Sequence, residues 1–311
     1  MRNVILAAAL VGLPYAVSAQ MSAMPQKLQD RLAEIGPGWG SDIGGNIAIT
    51  LEHYMPILAE APRDGVEIEA DISYGDDERH RLDIHVREGL EGAPVVVYLH
   101  GGAYVAGHKN INEEVYGNAA TYFARQDMVG VNATYRLAPA ATWPAAAEDV
   151  GTLVEWLVEN VGEHGGDPDR IYLVGHSAGA AHVATYMYHP DLRPDEPRIA
   201  GAILMSGRYH FDPSPDDPSL ANFQAYFGED VTRYEDMSPI NHVDGGPDIP
   251  VFVVISEYDN PDLDTQGALL YAEICKSRGA CPRFEWMEHH NHLSMVYQFN
   301  TEDREMGEQI L

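Results

Sequence analysis

The sequence predicts an α/β fold built on a mainly parallel central sheet with helices on both faces. Short runs rich in β-branched residues recur along the chain, and segments with helical spacing separate them. One run, Ala93 to Leu99 (APVVVYL), is apolar without alternation, as a strand buried on both faces must be. The length of 311 residues and the 45% hydrophobic share allow one large domain with a sizeable core.

Residues 1–19 read as a secretory leader. Arg2 supplies a basic start, residues 4–17 are largely apolar, and Val17-Ser18-Ala19 forms a small-x-small cleavage pattern before Gln20. Pro14 breaks the apolar run, which is shorter than a membrane span. The expectation is a secreted or periplasmic protein without stable membrane insertion. Residues 20–61 read as an N-terminal arm or cap, with a helix from Met24 to Ile35 and Gly-rich turns from Gly36 to Gly45. Residues 62–311 form the main domain.

Its first strands, Val66 to Tyr74 and Arg81 to Val86, suit a hairpin across the turn at Gly75 to Glu78. After the APVVVYL strand, a helix is expected over Ile111 to Arg125 and a strand over Met128 to Tyr135. Pro144 opens a helix with Val150, Leu153, Trp156 and Leu157 on one face. Asp167-Pro168-Asp169 reads as a turn into the strand Arg170 to Val174. Strands over Ile199 to Met205, Val251 to Ile255 and Arg283 to Met287 complete the sheet, with a helix over Leu263 to Lys276 between the last two.

The charge is unusual. Against 19 Lys and Arg stand 48 Asp and Glu, a net charge of −29. That sign opposes binding to nucleic acid or to anionic membrane surfaces and favours solubility. Cys275 and Cys281 are close in the segment ICKSRGAC. In an oxidising compartment they are expected to close a short loop, and with no His at metal spacing they make a poor zinc site.

The strongest chemical signal is Gly175-His176-Ser177-Ala178-Gly179. This G-x-S-x-G follows the strand ending at Val174 and precedes a small-residue helical stretch from Ala180 to Tyr188. A serine nucleophile needs such a sharp strand-to-helix turn, where the helix N-terminus favours developing negative charge. His100-Gly101-Gly102-Ala103, at the end of the APVVVYL strand, supplies a second element. Acyl transfer needs N–H donors for the oxyanion, and the amides of Gly101, Gly102 and Ala178 are the candidates.

A serine hydroxyl also needs a base and an orienting carboxylate. Asp259 follows the strand Val251 to Ile255, with Glu257, Asp262 and Asp264 as rivals. The base is sought in Glu288-His289-His290-Asn291-His292, where spacing alone does not choose between His290 and His292. No metal or organic cofactor is required. Tyr104 and Tyr209, with Phe211 and Tyr226, are candidates to line the acyl or alcohol pocket, or are ordinary packing residues.

From about Tyr74 onward the chain resembles the α/β-hydrolase esterases with an HGG oxyanion motif, near the kynurenine formamidase-like and hormone-sensitive-lipase-like groups. The resemblance rests on HGGAYVAGHK (100–109), YRLAP (135–139), GGDPDRIYLVGHSAGA (165–180), SPINHV (238–243), EYD (257–259) and HNHLS (290–294). It implies Asp259 and His292 as the partners of Ser177. Ala103 stands where the lipase-like group usually has a fourth glycine, and Asp259-Asn260-Pro261-Asp262 departs from its D-P-L-x-D acid motif. HGG followed by a non-glycine and an aromatic is nearer the formamidase-like group. The expected activity is hydrolysis of a small-molecule carboxylic ester through an acyl-enzyme. Arylformamide or other amide hydrolysis by the same triad is the alternative, and an inactive binding protein of this fold is a further one.

Overall fold

The computed structural model describes residues 24–311. The leader predicted for residues 1–19 lies outside them. In chain order the helices are α1 (Gln26–Ile35), α2 (Ile43–Ala59), α3 (Gly117–Ala124), α4 (Ala145–Asn160), α5 (Ala178–Tyr188), α6 (Leu220–Phe227), α7 (Tyr234–Met237), α8 (Leu263–Arg278), α9 (Ser294–Tyr297) and α10 (Glu305–Ile310). The strands are β1 (Val66–Ser73), β2 (Arg81–Arg87), β3 (Ala93–Leu99), β4 (Val129–Ala133), β5 (Gly166–His176), β6 (Gly201–Met205), β7 (Val251–Tyr258) and β8 (Arg283–Asn291).

All eight strands form one sheet in the order β1-β2-β4-β3-β5-β6-β7-β8. β1 and β2 make the predicted antiparallel hairpin, β2 pairs antiparallel with β4, and the remaining neighbours are parallel. The chain runs from β3 outward to β4 and then returns to the other side of β3 as β5. Strand order therefore reverses beside β3, and ligand crevices in open α/β sheets lie beyond the strand C-termini at such a reversal.

The pleat explains the apolar run in β3. Val95, Val97 and Leu99 enter the core on one face with α4 and α5, whereas Val96 and Tyr98 enter the core on the other face with α1, α2, α3 and α9. β7 divides its side chains in the same way, Val251 and Val253 against Phe252 and Val254. α5 is buried along its whole length, and its run of alanines lets it lie close to the sheet.

Three local expectations are corrected. Residues 111–116 precede α3 instead of forming its first turns. The Asn112 side chain accepts the amides of Glu114 and Val115, both at 2.9 Å, and this local turn displaces the helix. The glycines at 44 and 45 lie inside α2, because the Asp42 carboxylate caps that helix by accepting the Gly45 N–H at 3.1 Å. Asp167-Pro168-Asp169 lies inside β5, where Ala93 pairs with Gly166 and Val95 already pairs with Ile171. The turn exists, with the Asp169 N–H donated to the Asp167 carboxylate at 3.0 Å, but as a bulge within the ladder.

The arm, α1 with α2, covers one sheet face with Leu28, Leu32, Trp39, Tyr54 and Leu58. Among the described residues no helix is long and apolar enough to cross a membrane. Cys275 and Cys281 form a disulfide between the end of α8 and the approach to β8. Closing so short a loop stabilises the fold by about 2 kcal/mol on the chain-entropy account. The Cys275→Ser/Cys281→Ser double variant is expected to lose about that much unfolding free energy in urea titration, without loss of the folded state.

Candidate active site

Ser177 lies between β5 and α5 with φ 55° and ψ −120°. A non-glycine residue held in this region costs roughly 1–3 kcal/mol, and the surrounding packing must hold it there. Its amide donates to the Met205 carbonyl at 2.8 Å, which ties the turn to the end of β6. A Cβ on Gly179 would fall on the carbonyl oxygens of Leu99 and His100, so only glycine lets α5 start against the end of β3.

The loop after β3 reaches the same place. A Cβ on Gly101 would stand 2.8 Å from the Ser177 Cβ. Gly102 has φ 138°, and Ala103 and Tyr104 follow at φ 48° and 70°. The loop closes on itself through amides of Val105 and Ala106 donated to the Gly102 carbonyl at 3.2 and 3.0 Å. Ala178 is the first residue of α5, where the helix offers its N–H no acceptor. The backbones of Gly101 and Ala178 thus flank Ser177, with Gly102 next along the loop.

Neutral imidazoles support this loop from below. His100 donates from Nδ1 to the Gly101 carbonyl at 2.7 Å and stacks on Tyr135 at 4.4 Å. The Tyr135 hydroxyl donates to the His100 carbonyl at 2.6 Å. Burial lowers the pKa of His100 to about 3, and does the same for His176 and His182. Buried without charge, they add rigidity at no ionic cost.

Asp259 and His292 are brought together. The His292 Nδ1–H donates to Asp259 Oδ1 at 2.7 Å, and the pair is almost fully buried. Because a carboxylate accepts, this bond leaves Nε2 as the ring's acceptor. His176 Nε2–H donates to the His292 carbonyl at 2.8 Å, with the two rings 4.6 Å apart. The His292 backbone is therefore held directly by the residue that precedes Ser177. Asp259 also accepts from the Ser206 hydroxyl at 2.5 Å and from the amides of Ser256 and Asn260 at 3.2 and 2.9 Å. Burial alone would raise the Asp259 pKa, but the bonds from His292, Ser206 and Ser256 outweigh it and hold the carboxyl below its ordinary range.

The rivals have other partners or positions. Glu257 accepts the His289 amide at 2.7 Å, Asp264 accepts the Thr265 amide at 2.7 Å, and Asp262 stands at the N-cap position of α8 without a side-chain capping bond, away from His292. His290 and His292 do not share a side. Ser256 pairs with Met287 and Tyr258 with Asn291, so β8 bulges there with His289 at φ 66°, and His292 lies past the strand's end at Asn291. His290 instead meets Asp303 at 3.3 Å and Ser294 at 3.1 Å. Among the described residues two groups have metal-compatible spacing, His189 with Asp236 and His242, and His290 with Asp303 and Glu305. Neither includes Ser177, Asp259 or His292.

A narrow cleft enclosing about 50 Å³ leads to Ser177. Tyr104 lines it, with Ile43, Pro218 and Leu263. Tyr209 does not line it and is completely buried, its ring occupying the space beside Gly207. Phe211 and Tyr226 are likewise buried in the core. Sequence reasoning missed Ser206, Arg208 and Asp217. Both Ser206 and Arg208 follow the end of β6, a strand end that already pointed to the site.

The structure aligns with solved esterases over nearly its whole length. Esterase B from Lactobacillus Rhamnosis superposes with a TM-score of 0.70 at 18% identity, covering 92% of this chain and 94% of that one. The hyperthermophilic esterase from Pyrobaculum calidifontis gives 0.69 at 22% identity, with 92% and 96% coverage. The fold is that of the α/β-hydrolases. Residues 82–189 match the BD-FAE family model, a segment that contains both the HGG loop and Ser177. An isoprenylcysteine alpha-carbonyl methylesterase of Arabidopsis thaliana is 35% identical over 120 residues, 38% of this chain and 27% of that protein. The chain thus spans about a quarter of the length of that curated relative.

The Asp259 pKa generates a prediction. A carboxyl held below its unfolded value contributes stability above the unfolded pKa of about 3.9 and loses it as pH falls through the folded value. Ser206→Ala removes a donor and raises the folded value. Acid unfolding followed by circular dichroism should therefore begin at higher pH in Ser206→Ala than in wild type.

Proposed function

We propose that the protein hydrolyses carboxylic esters of small molecules through an acyl-enzyme on Ser177. The observation that carries this reading is the buried His292–Asp259 bond of 2.7 Å, tied to the chain of the Ser177 turn through His176. His292 Nε2 takes the hydroxyl proton as Ser177 Oγ attacks the ester carbonyl carbon. The amides of Gly101, Gly102 and Ala178 hold the oxyanion, which they bind more strongly than the ground-state carbonyl. His292 then gives its proton to the leaving alcohol, and removes one from water to release the acid. Asp259 stays ionised and keeps the imidazole in one tautomer.

The esterase names of the structural neighbours and of the methylesterase relative support this reading. The small volume of the cleft, about 50 Å³, suits neutral esters with short acyl chains. The leader-like residues 1–19 and the disulfide support export to a secreted or periplasmic location, where such a bond persists.

The test is turnover of p-nitrophenyl butanoate by wild type and Ser177→Ala. Loss of a triad nucleophile is expected to lower kcat by about 10⁴-fold or more with the fold unchanged. A folded variant that keeps wild-type turnover would overturn the assignment of Ser177. A parallel panel of aryl formamides distinguishes amide from ester preference by kcat/KM.

A further inference from the structure

Among the described residues that line the Ser177 cleft, Arg208 and Asp217 are the only charged ones, and they form an ion pair, while Tyr104, Ser219 and Asn260 add neutral polar groups to an otherwise apolar wall. Arg208 Nη2–H donates to Asp217 Oδ2 at 2.5 Å, and the side chains are only 9% and 7% exposed. Removing two charges from water this far is costly, and a buried pair is weak evidence for stability. Its position beside Ser177 points to a different role.

The donor inventory makes that role specific. A guanidinium carries several N–H donors in a fixed fork. Among the described residues only one of these meets a protein acceptor, the Asp217 carboxylate. The remaining N–H groups are not among the sealed, unpartnered polar atoms and so open to the cleft, where an acceptor that enters with the substrate replaces water as their partner. Asp217 cancels the charge of Arg208, which removes the attraction for an anion while leaving the donors in place. An uncharged oxygen is the ligand that such a neutralised fork suits best. A carboxylate would gain the same hydrogen bonds but would meet the Asp217 charge.

We infer that Arg208 is a specificity-determining residue that favours esters carrying a neutral hydrogen-bond-accepting oxygen, of ether, hydroxyl or carbonyl type, within reach of its guanidinium. This rests on the ester hydrolase reading above and names the substrate class of that site. Asp217, on the loop before α6, sets the charge rule by excluding carboxylated analogues.

The experiment compares p-nitrophenyl pentanoate with its ether analogues, in which oxygen replaces one methylene at each position in turn. The same series on the alcohol side of acetate esters is followed by pH-stat. Intrinsic reactivity cancels when each ether-to-alkyl ratio of kcat/KM is divided by that of a variant. The Arg208→Met/Asp217→Asn double variant removes the donors without stranding a buried charge. Its ether-to-alkyl ratio should fall by about tenfold at the favoured position, the scale of one hydrogen bond to a charged group. Asp217→Asn alone keeps the fork and exposes its charge, so mono-p-nitrophenyl glutarate should gain on p-nitrophenyl pentanoate by a similar factor.

Fluorophosphonate labelling at Ser177 separates the possible failures. A wild type that neither labels nor turns over overturns the ester hydrolase reading itself. Labelled, active variants with ratios equal to wild type in both series overturn the role of Arg208. If the double variant does not fold, the glutarate comparison in Asp217→Asn decides, and an unchanged ratio there overturns the inference.

Discussion

The arrangement of the site depends on keeping one buried carboxylate charged. Asp259 is almost out of contact with water, and burial by itself would drive it neutral. It stays ionised because donors converge on it from the end of β6, the end of β7, its own following amide and the loop after β8. Each of those segments is thereby placed relative to the others. His292 is the donor that matters chemically, since a carboxylate on Nδ1 directs the ring's lone pair to the opposite nitrogen.

The sheet brings the other half of the site to the same end. β3 and β5 are neighbours although β4 lies between them in sequence, and Leu99 pairs with Gly175 across the ladder. The loops leaving these two strands therefore emerge side by side, one carrying Gly101 and Gly102, the other Ser177. The arm adds a clamp from outside. Trp39 Nε1–H donates to the Asn260 side chain at 2.8 Å, and Asn291 donates to the Thr50 hydroxyl at 2.9 Å. Residues next to both Asp259 and His292 are thus tied to α2 and to the turn that precedes it as well as to the sheet. The arm also places Ile43 in the cleft wall.

Much of this was legible in the residues because the relevant constraints are local. A strand buried on both faces must be apolar throughout, and a strand-to-helix turn around a serine needs small neighbours. β3 and the Ser177 turn satisfy both, and the structure places them as their sequences predict. Constraints set by distant partners were not legible. The choice between His290 and His292 turns on a bulge in β8 against β7 and on the strand ending before His292, neither of which the spacing within the histidine segment reveals. Ser206 carries no motif of its own, and its importance comes from facing Asp259 across β6 and β7. Tyr209 reads like a cleft aromatic by position, but its backbone turns it into the core. Arg208 and Asp217 meet only because the loop before α6 folds back over the end of β6.

The central claim is that Ser177 is a nucleophile activated by His292 within this frame. Its most direct test is the mass of the intact protein after incubation with a fluorophosphonate, followed by peptide mapping of the adduct. The account predicts a single phosphonylation on the peptide containing Ser177, and almost none in His292→Ala under the same conditions. Labelling at another residue, or equal labelling rates with and without His292, would contradict it.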